Sequence, residues 1–388
     1  SGLSRTRVTA RAPSLAPLLS AFGFVATPTA AESAHEAELV FATAGQIGAG
    51  AAATLEITAP GFQSVYDGRF ALSDEAPAAS VAGTARLKAN DAVDVLSVAA
   101  IPAPRGLSGV PVEGIVAVSR ENGQWTLSTR KLVAGGATFN GTATAKSAAD
   151  GMTELGANLH ADKLTVAGLL SPLHDAQLPN QDVTAQPASA TEIWPTGVFN
   201  LAAFEFVKGT VRLGFGSLSL QPGIAARSGA LEIALAPGSI AITDIKGQAI
   251  GGALLGAVAL TKAPSGIKFD GTLKIDGADL AHLSAAARGK ATLDAKAAAQ
   301  AQSAAGLLAV LNGSGSLTLD EASVPAPGPS ASAAVIASVL ANKLPNQPQD
   351  VHAALLEAVA ASKADLGSRT IPIVITDGVA KLETVNLE

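Results

Sequence analysis

The 388-residue chain is 48% hydrophobic but only 4% aromatic, so its apolar content is mostly Ala, Val, Leu and Ile, a mix suited to a thin apolar layer rather than a thick core. Lys and Arg number 26 against 32 Asp and Glu, for a net charge of −6, and the basic residues are scattered singly, which excludes the basic stripe that nucleic-acid binding needs. Cysteine is absent, which removes disulfides, iron–sulfur clusters and thiolate zinc sites, and no apolar run reaches the roughly 18 residues of a membrane-spanning helix.

At the start, Arg5, Arg7 and Arg11 precede an apolar Leu15 to Val25 stretch, an order that imitates a signal peptide. Ser14, Pro17 and Ser20 interrupt that stretch, and its lead-in recurs downstream, so the favoured expectation is a repeat inside a larger protein. Arg7-Val8-Thr9-Ala10, Arg86-Leu87-Lys88-Ala89, Asn158-Leu159-His160-Ala161 and Thr272-Leu273-Lys274-Ile275 read as one strand ending written four times. Each runs into a short helical piece: Leu15 to Phe22, Asp91 to Ala100, Leu164 to Leu173, and Asp279 to Ala287.

Gly48-Ala49-Gly50 carries the opening of a dinucleotide fingerprint, but Leu55 and Ile57 continue a strand after it, so a hairpin turn is expected instead. Tyr66-Asp67-Gly68 reads as a degraded copy of a Gly-rich turn that recurs at Gly135-Gly136 and Gly251-Gly252. Asn122-Gly123 and Asp377-Gly378 are hairpin signals. The polar, Pro/Gln-rich stretch Asp175 to Ala190 reads as a connection.

Strand alternation dominates the chain from Val211 to Asp276. Val211, Leu213 and Phe215 change phase at Gly216-Ser217 before Leu218 and Leu220, which predicts a bulge or turn there. Leu231, Ile233 and Leu235 lead into a Pro237-Gly238 turn and a return strand with Ile240 and Ile242. Ile267, Phe269, Leu273 and Ile275 alternate with Lys268, Asp270, Thr272, Lys274 and Asp276, a strand with one apolar and one charged face. Pro325 to Ser332 reads as a loop, Val335 to Leu344 and Val351 to Leu366 as helices, and Ile371 to Val385 as a hairpin. These boundaries divide the chain into an N-terminal β-repeat block 1–174, a linker 175–190, a second β-repeat block 191–324, and a helical segment with a terminal hairpin 325–388.

Catalytic chemistry finds no foothold. His35, His160, His174, His282 and His352 are far apart without ligand spacing, and there is no Gly-x-Ser-x-Gly elbow or phosphate loop. Asp270 and Asp276 could be imagined as an acid–base pair, but they fall on the solvent side of an alternating strand, so the structural reading is preferred. Trp125 and Trp194 are better read as covers for the sheet than as ligand platforms. No catalytic residue, metal site or cofactor is assigned.

The stretch from Trp194-Pro195 to Leu283 carries Phe199-Asn200-Leu201, the Gly209 to Leu220 strand pair, Leu231 to Gly247, the Gly251-Gly252 turn, and a strand ending in Asp279-Leu280. This arrangement resembles the C-terminal region of the AsmA family, related to TamB-type envelope proteins. Gly306-Leu307-Leu308 and Gly313-Ser314-Gly315-Ser316-Leu317 resemble that family's next segment. The likeness covers most of residues 1–324 through turns and patterns. It implies a periplasmic protein anchored to the inner membrane by a segment outside this chain, a role in outer-membrane biogenesis, and a hydrophobic β-groove that carries lipid.

The expected fold is therefore mainly β: an elongated, curled antiparallel sheet, groove-like or taco-like, built from loose repeats with short helices inserted. A sheet that alternates apolar and charged must hide its apolar face against another layer, by curling, or with acyl chains. Leu213, Ile233, Leu235, Ile242, Phe269, Leu273 and Ile275 are the expected groove wall, and a dry two-layer core would use the same residues. The expected function is non-enzymatic lipid transfer or outer-membrane assembly, with phospholipid or another acyl-chain lipid as partner and envelope assembly proteins as further partners. The rivals are a structural surface-layer or adhesin-like β-sandwich and, last, a polysaccharide-active enzyme on a β scaffold.

Overall fold

The computed structural model describes residues 4–13, 36–46, 50–71, 80–98, 104–174, 194, 196–221, 223–325, 329–341, 347–361 and 363–383. The protein is mainly β, with a few short helices inserted into one large sheet of 18 strands. The first nine are β1 (Ser4–Ala12), β2 (Ala37–Gly45), β3 (Ala51–Ala59), β4 (Phe62–Ala71), β5 (Ser80–Ala89), β6 (Val112–Glu121), β7 (Gln124–Ala134), β8 (Ala137–Ser147) and β9 (Thr153–Thr165). The rest are β10 (Val207–Gln221), β11 (Ile224–Ala236), β12 (Ser239–Ala249), β13 (Gly252–Ala263), β14 (Gly266–Asp279), β15 (Arg288–Ala301), β16 (Asn312–Pro325), β17 (Lys363–Thr376) and β18 (Val379–Leu382). Helices α1 (Ala92–Val98), α2 (Val166–Leu170), α3 (Ala304–Ala309), α4 (Pro329–Leu340) and α5 (Pro348–Ala361) lie between strands.

Each strand pairs with the next in sequence, so neighbours in the chain are neighbours in the sheet. The expectation of a purely antiparallel sheet is corrected at one place: β9 and β10 run parallel, from Val207 opposite Thr153 to Ser219 opposite Thr165. Parallel neighbours need a long crossover, and the chain between Thr165 and Val207 supplies it.

Turn chemistry sets the antiparallel register. Asn122 and Gly123 take φ of 50° and 75° between β6 and β7, and Asp377 and Gly378 take 49° and 73° between β17 and β18, as type I′ turns demand. Gly135 and Gly251 turn in the left-handed region between β7 and β8 and between β12 and β13, so both Gly-rich turns are present. Tyr66-Asp67-Gly68 is corrected: it is the middle of β4, with Gly68 opposite Gly83. A Cβ on Gly83 would meet the Asp67 carbonyl oxygen first, then the Gly68 Cα at 2.6 Å and the Tyr66 ring at 2.7 Å, so glycine there serves a close approach of the β4 backbone and the Tyr66 ring and not a turn.

The change of face at Gly216-Ser217 is present, since Phe215 and Leu218 are both buried. The distortion sits on the partner strand, where Ser228 takes φ 50° between the pairs Phe215–Gly229 and Ser217–Arg227.

Helix boundaries differ from expectation in several places. The 279–287 piece shrinks to a single 3-10 turn, Leu280–His282, begun by Asp279 accepting from the Ala281 amide at 2.9 Å. The 325–332 loop gives way to β16, which extends to Pro325, and to α4, which begins at Pro329. The helix expected to reach Leu366 stops at Ala361, because β17 starts at Lys363 and pairs with β16 through Ala364 and Asp365. The Leu15 to Phe22 piece and the 175–190 connection lie outside the described residues.

The chain forms two compact units. The first comprises residues 1–245, 257–269 and 299–309; the second comprises 246–256, 270–298 and 310–388. In the second unit, Leu280, Ala287, Ala291, Leu319, Ala322 and Ile371 form a buried cluster. A bulge at Glu321, φ 48°, is held there by Ser368, whose hydroxyl accepts from the Glu321 amide and donates to Asp320.

In the first unit, Ala37, Leu39, Ile57, Phe62 and Ala89 form a buried cluster on which Val95 of α1 packs. Asp91 fixes that helix: Oδ1 accepts from the Val93 amide at 2.8 Å and Oδ2 from the Ser108 hydroxyl at 2.8 Å. Asp91→Ala removes both bonds and should cost about 1–2 kcal/mol in urea unfolding. Asp91→Asn, which keeps a capping oxygen, should cost less than half of that.

Candidate apolar face of the first unit

Residues directly opposite one another on paired strands point to the same side of the sheet, so the register can be followed from strand to strand. One row runs Thr6, Thr43, Ala53, Gly68, Gly83, Val118, Leu127, Ala143, Ala157, Val211, Ile233 without a break from β1 to β11. The row one residue away runs Arg7, Ala42, Thr54, Asp67, Thr84, Ala117, Ser128, Thr142, Asn158, Arg212, Glu232. The first contains no charged side chain and the second contains four. The apolar sides of eleven strands therefore meet as one surface, despite bulges between Ile115 and Ala117 and between Thr129 and Leu132.

That surface is unevenly covered. From Gly68 to Ile233, every member of the apolar row is only half-buried. Leu39, Ile57 and Phe62 are sealed near the ends of their strands, beside Val95 of α1, while Val116, Leu213 and Leu231 are sealed farther along theirs. Two segments close in from the crossover: Leu170, Leu173, Phe199, Leu201 and Phe204 pack with Ile240, Leu260 and Ile267. Within that cover, Ser171 donates a hydrogen bond to the Gly106 carbonyl and His174 meets Phe199 edge-on at 4.9 Å. Burial also pushes the Tyr66 phenol above its ordinary pKa, as expected for a group on the apolar side, where it pairs with Leu55 and Ala85.

The expected wall residues divide between the units. Leu213 is 6% exposed and sits between Leu159 and Leu231. Ile233, Leu235 and Phe269 are half-buried and come together around the Leu173–Leu201 cluster. Ile242 is half-buried on β12, two residues beyond Ile240 of the same cluster. Leu273 and Ile275 belong to the second unit, Leu273 at 40% exposure and Ile275 half-buried, and neither joins its buried cluster.

Sequence reading missed the covering residues Leu170, Leu173 and Phe204, and it missed Arg120. Arg120 occupies the apolar side of β6, between Val81 and Trp125, in a row that continues Ala145, Leu155, Gly209, Leu235. The alternation Val112, Val116, Val118, Arg120 was the available signal.

The groups considered for chemistry are dispersed. Asp270 and Asp276 are exposed, and Asp276 faces Lys274 at 3.5 Å and accepts from Thr292 at 3.1 Å. His160, His282 and His352 are exposed, and His35 lies outside the described residues. Among the described residues, no three His, Asp or Glu side chains converge to hold a metal ion, and no helix is long and apolar enough to cross a membrane. Comparison with family models, with curated proteins and with solved structures returns no match.

Proposed function

We propose that this chain is a non-enzymatic envelope protein of the AsmA type, held in the periplasm by an inner-membrane anchor outside the chain, and that its apolar sheet face carries acyl-chain lipid in transfer or outer-membrane assembly. The observation that supports this reading is the half-buried apolar row from Gly68 to Ile233, with charged and polar groups confined to the row beside it. A sheet stabilised only by its own packing would seal such a row. Each Å² of apolar surface left in water forgoes roughly 25 cal/mol, and acyl tails laid along the row recover it. Small residues such as Gly83, Ala143 and Ala157 leave space for those tails.

The test is to purify the full chain without detergent, extract it with organic solvent and identify the extract by mass spectrometry. Phospholipid at a reproducible ratio to protein is the expected result. A chain that yields no lipid, and takes up none from phosphatidylglycerol or phosphatidylethanolamine vesicles, removes this reading and leaves the structural sandwich.

A further inference from the structure

Arg120 is the one charged residue in the two apolar rows that pass through Val118 and Trp125. Its guanidinium carbon lies 5.2 Å above the Trp125 ring, and its Nε is sealed from solvent without a hydrogen-bond partner. Among the described residues no carboxylate forms an ion pair with it. An unpaired guanidinium donor on an apolar face is costly, because the desolvated N–H loses its bonds to water and gains none. The Trp125 face offsets part of that cost but accepts no directed hydrogen bond from Nε.

We propose, resting on the lipid-carrying role of this face, that Arg120 receives the phosphate of a bound phospholipid. A guanidinium presents its donors as a planar fork that matches two phosphate oxygens, and the low dielectric of an apolar face strengthens the pairing. Position agrees with chemistry. Arg120 is one residue before the end of β6 and the Asn122-Gly123 turn, where a headgroup meets water. From there the apolar side of β6 reaches half-buried Val118, whereas Val116 and Val112 beyond it are sealed, so an acyl tail passes from Val118 across the half-buried row Leu127, Ala143 and Ala157. Trp125 flanks the headgroup as an aromatic wall. The face is thereby directional: phosphate at the Arg120 end, tails along the half-buried row that starts at Val118.

The experiment loads delipidated full-length chain from vesicles containing phosphatidylglycerol, diacylglycerol and free fatty acid, and quantifies each bound species. Arg120→Met should lower the ratio of bound phosphatidylglycerol to diacylglycerol at least tenfold, while total diacylglycerol uptake stays within twofold of wild type. Arg120→Lys should keep part of the preference. Should Arg120→Met unfold, Arg120→Gln is read in the same assay. An unchanged ratio overturns the inference and leaves the lipid-carrying face standing. Selective loss of fatty acid instead overturns the phosphate assignment in favour of a carboxylate. A wild-type chain that binds none of the three overturns the reading on which the inference rests.

Discussion

Phe215→Ala should destabilise the first unit by about 3–5 kcal/mol, whereas Leu155→Ala, on the same side of the sheet, should cost less than about 1.5 kcal/mol. Phe215 is 1% exposed, and its register neighbours are Ala161 and Gly229, too small to close over the space a lost ring leaves. Residual cavity volume adds to the transfer loss, which places this ring at the upper end of core truncations. Leu155 is half-buried between Ala145 and Gly209, so truncation removes surface that water already touches in part. Urea unfolding of both variants beside wild type measures the difference. Equal costs would mean that the Leu155 region is as tightly covered as the Phe215 end, and the uncovered character of the row would be lost with it.

Where local pattern decides structure, the sequence was readable. Leu231, Ile233 and Leu235 alternate, and they form β11; Pro237-Gly238 turns into β12, and Asp377-Gly378 closes the last hairpin. Three of the four similar strand endings also share a structural place, since Val8, Leu87 and Leu159 all fall on the apolar side of the first unit, while Leu273 belongs to the second. Errors arose where a partner strand overrules local pattern. Lys363 to Leu366 follows an Ala-rich helix and continues its letters, but pairing with β16 draws it into a strand. The parallel pairing of β9 and β10 depends on where a long crossover returns, and no window of adjacent residues encodes that.

The site followed the same division. Alternation was enough to name Leu213, Ile233 and Leu235 as one side of the sheet, and the register joins them to β9 and thence to β1. What covers that side is not legible, because the helical piece ending at Leu173 and the segment holding Leu201 carry no letters that name the part of the sheet they fold onto. Arg120 is legible by parity, against the rule that charged residues ordinarily belong to the solvent side. The violation of that rule is where the chemistry of this face concentrates.

A carboxylate placed in the middle of the apolar row should abolish lipid loading without unfolding the chain. Leu127 and Ser128 make the cleanest pair, being adjacent in β7 and on opposite sides: Leu127 between Val118 and Ala143, Ser128 between Ala117 and Thr142. In Leu127→Asp the carboxylate keeps its hydration while the face is empty, because the position is half-buried, so the fold survives. An acyl chain laid across it must strip that water, at a cost of several kcal/mol for an unpaired charge. At about 1.4 kcal/mol per tenfold, phospholipid uptake should fall at least a hundredfold. Ser128→Asp adds the same charge to a face already lined by Asp67 and Glu232 and should leave uptake within twofold of wild type. The measurement is vesicle-to-protein transfer of phosphatidylglycerol, with circular dichroism confirming that both variants keep their strands. If the two substitutions reduce uptake equally, the response is to net charge and not to the face, and lipid does not travel along this row. If only Leu127→Asp does so, the side of the sheet that binds lipid is fixed by a single step along one strand.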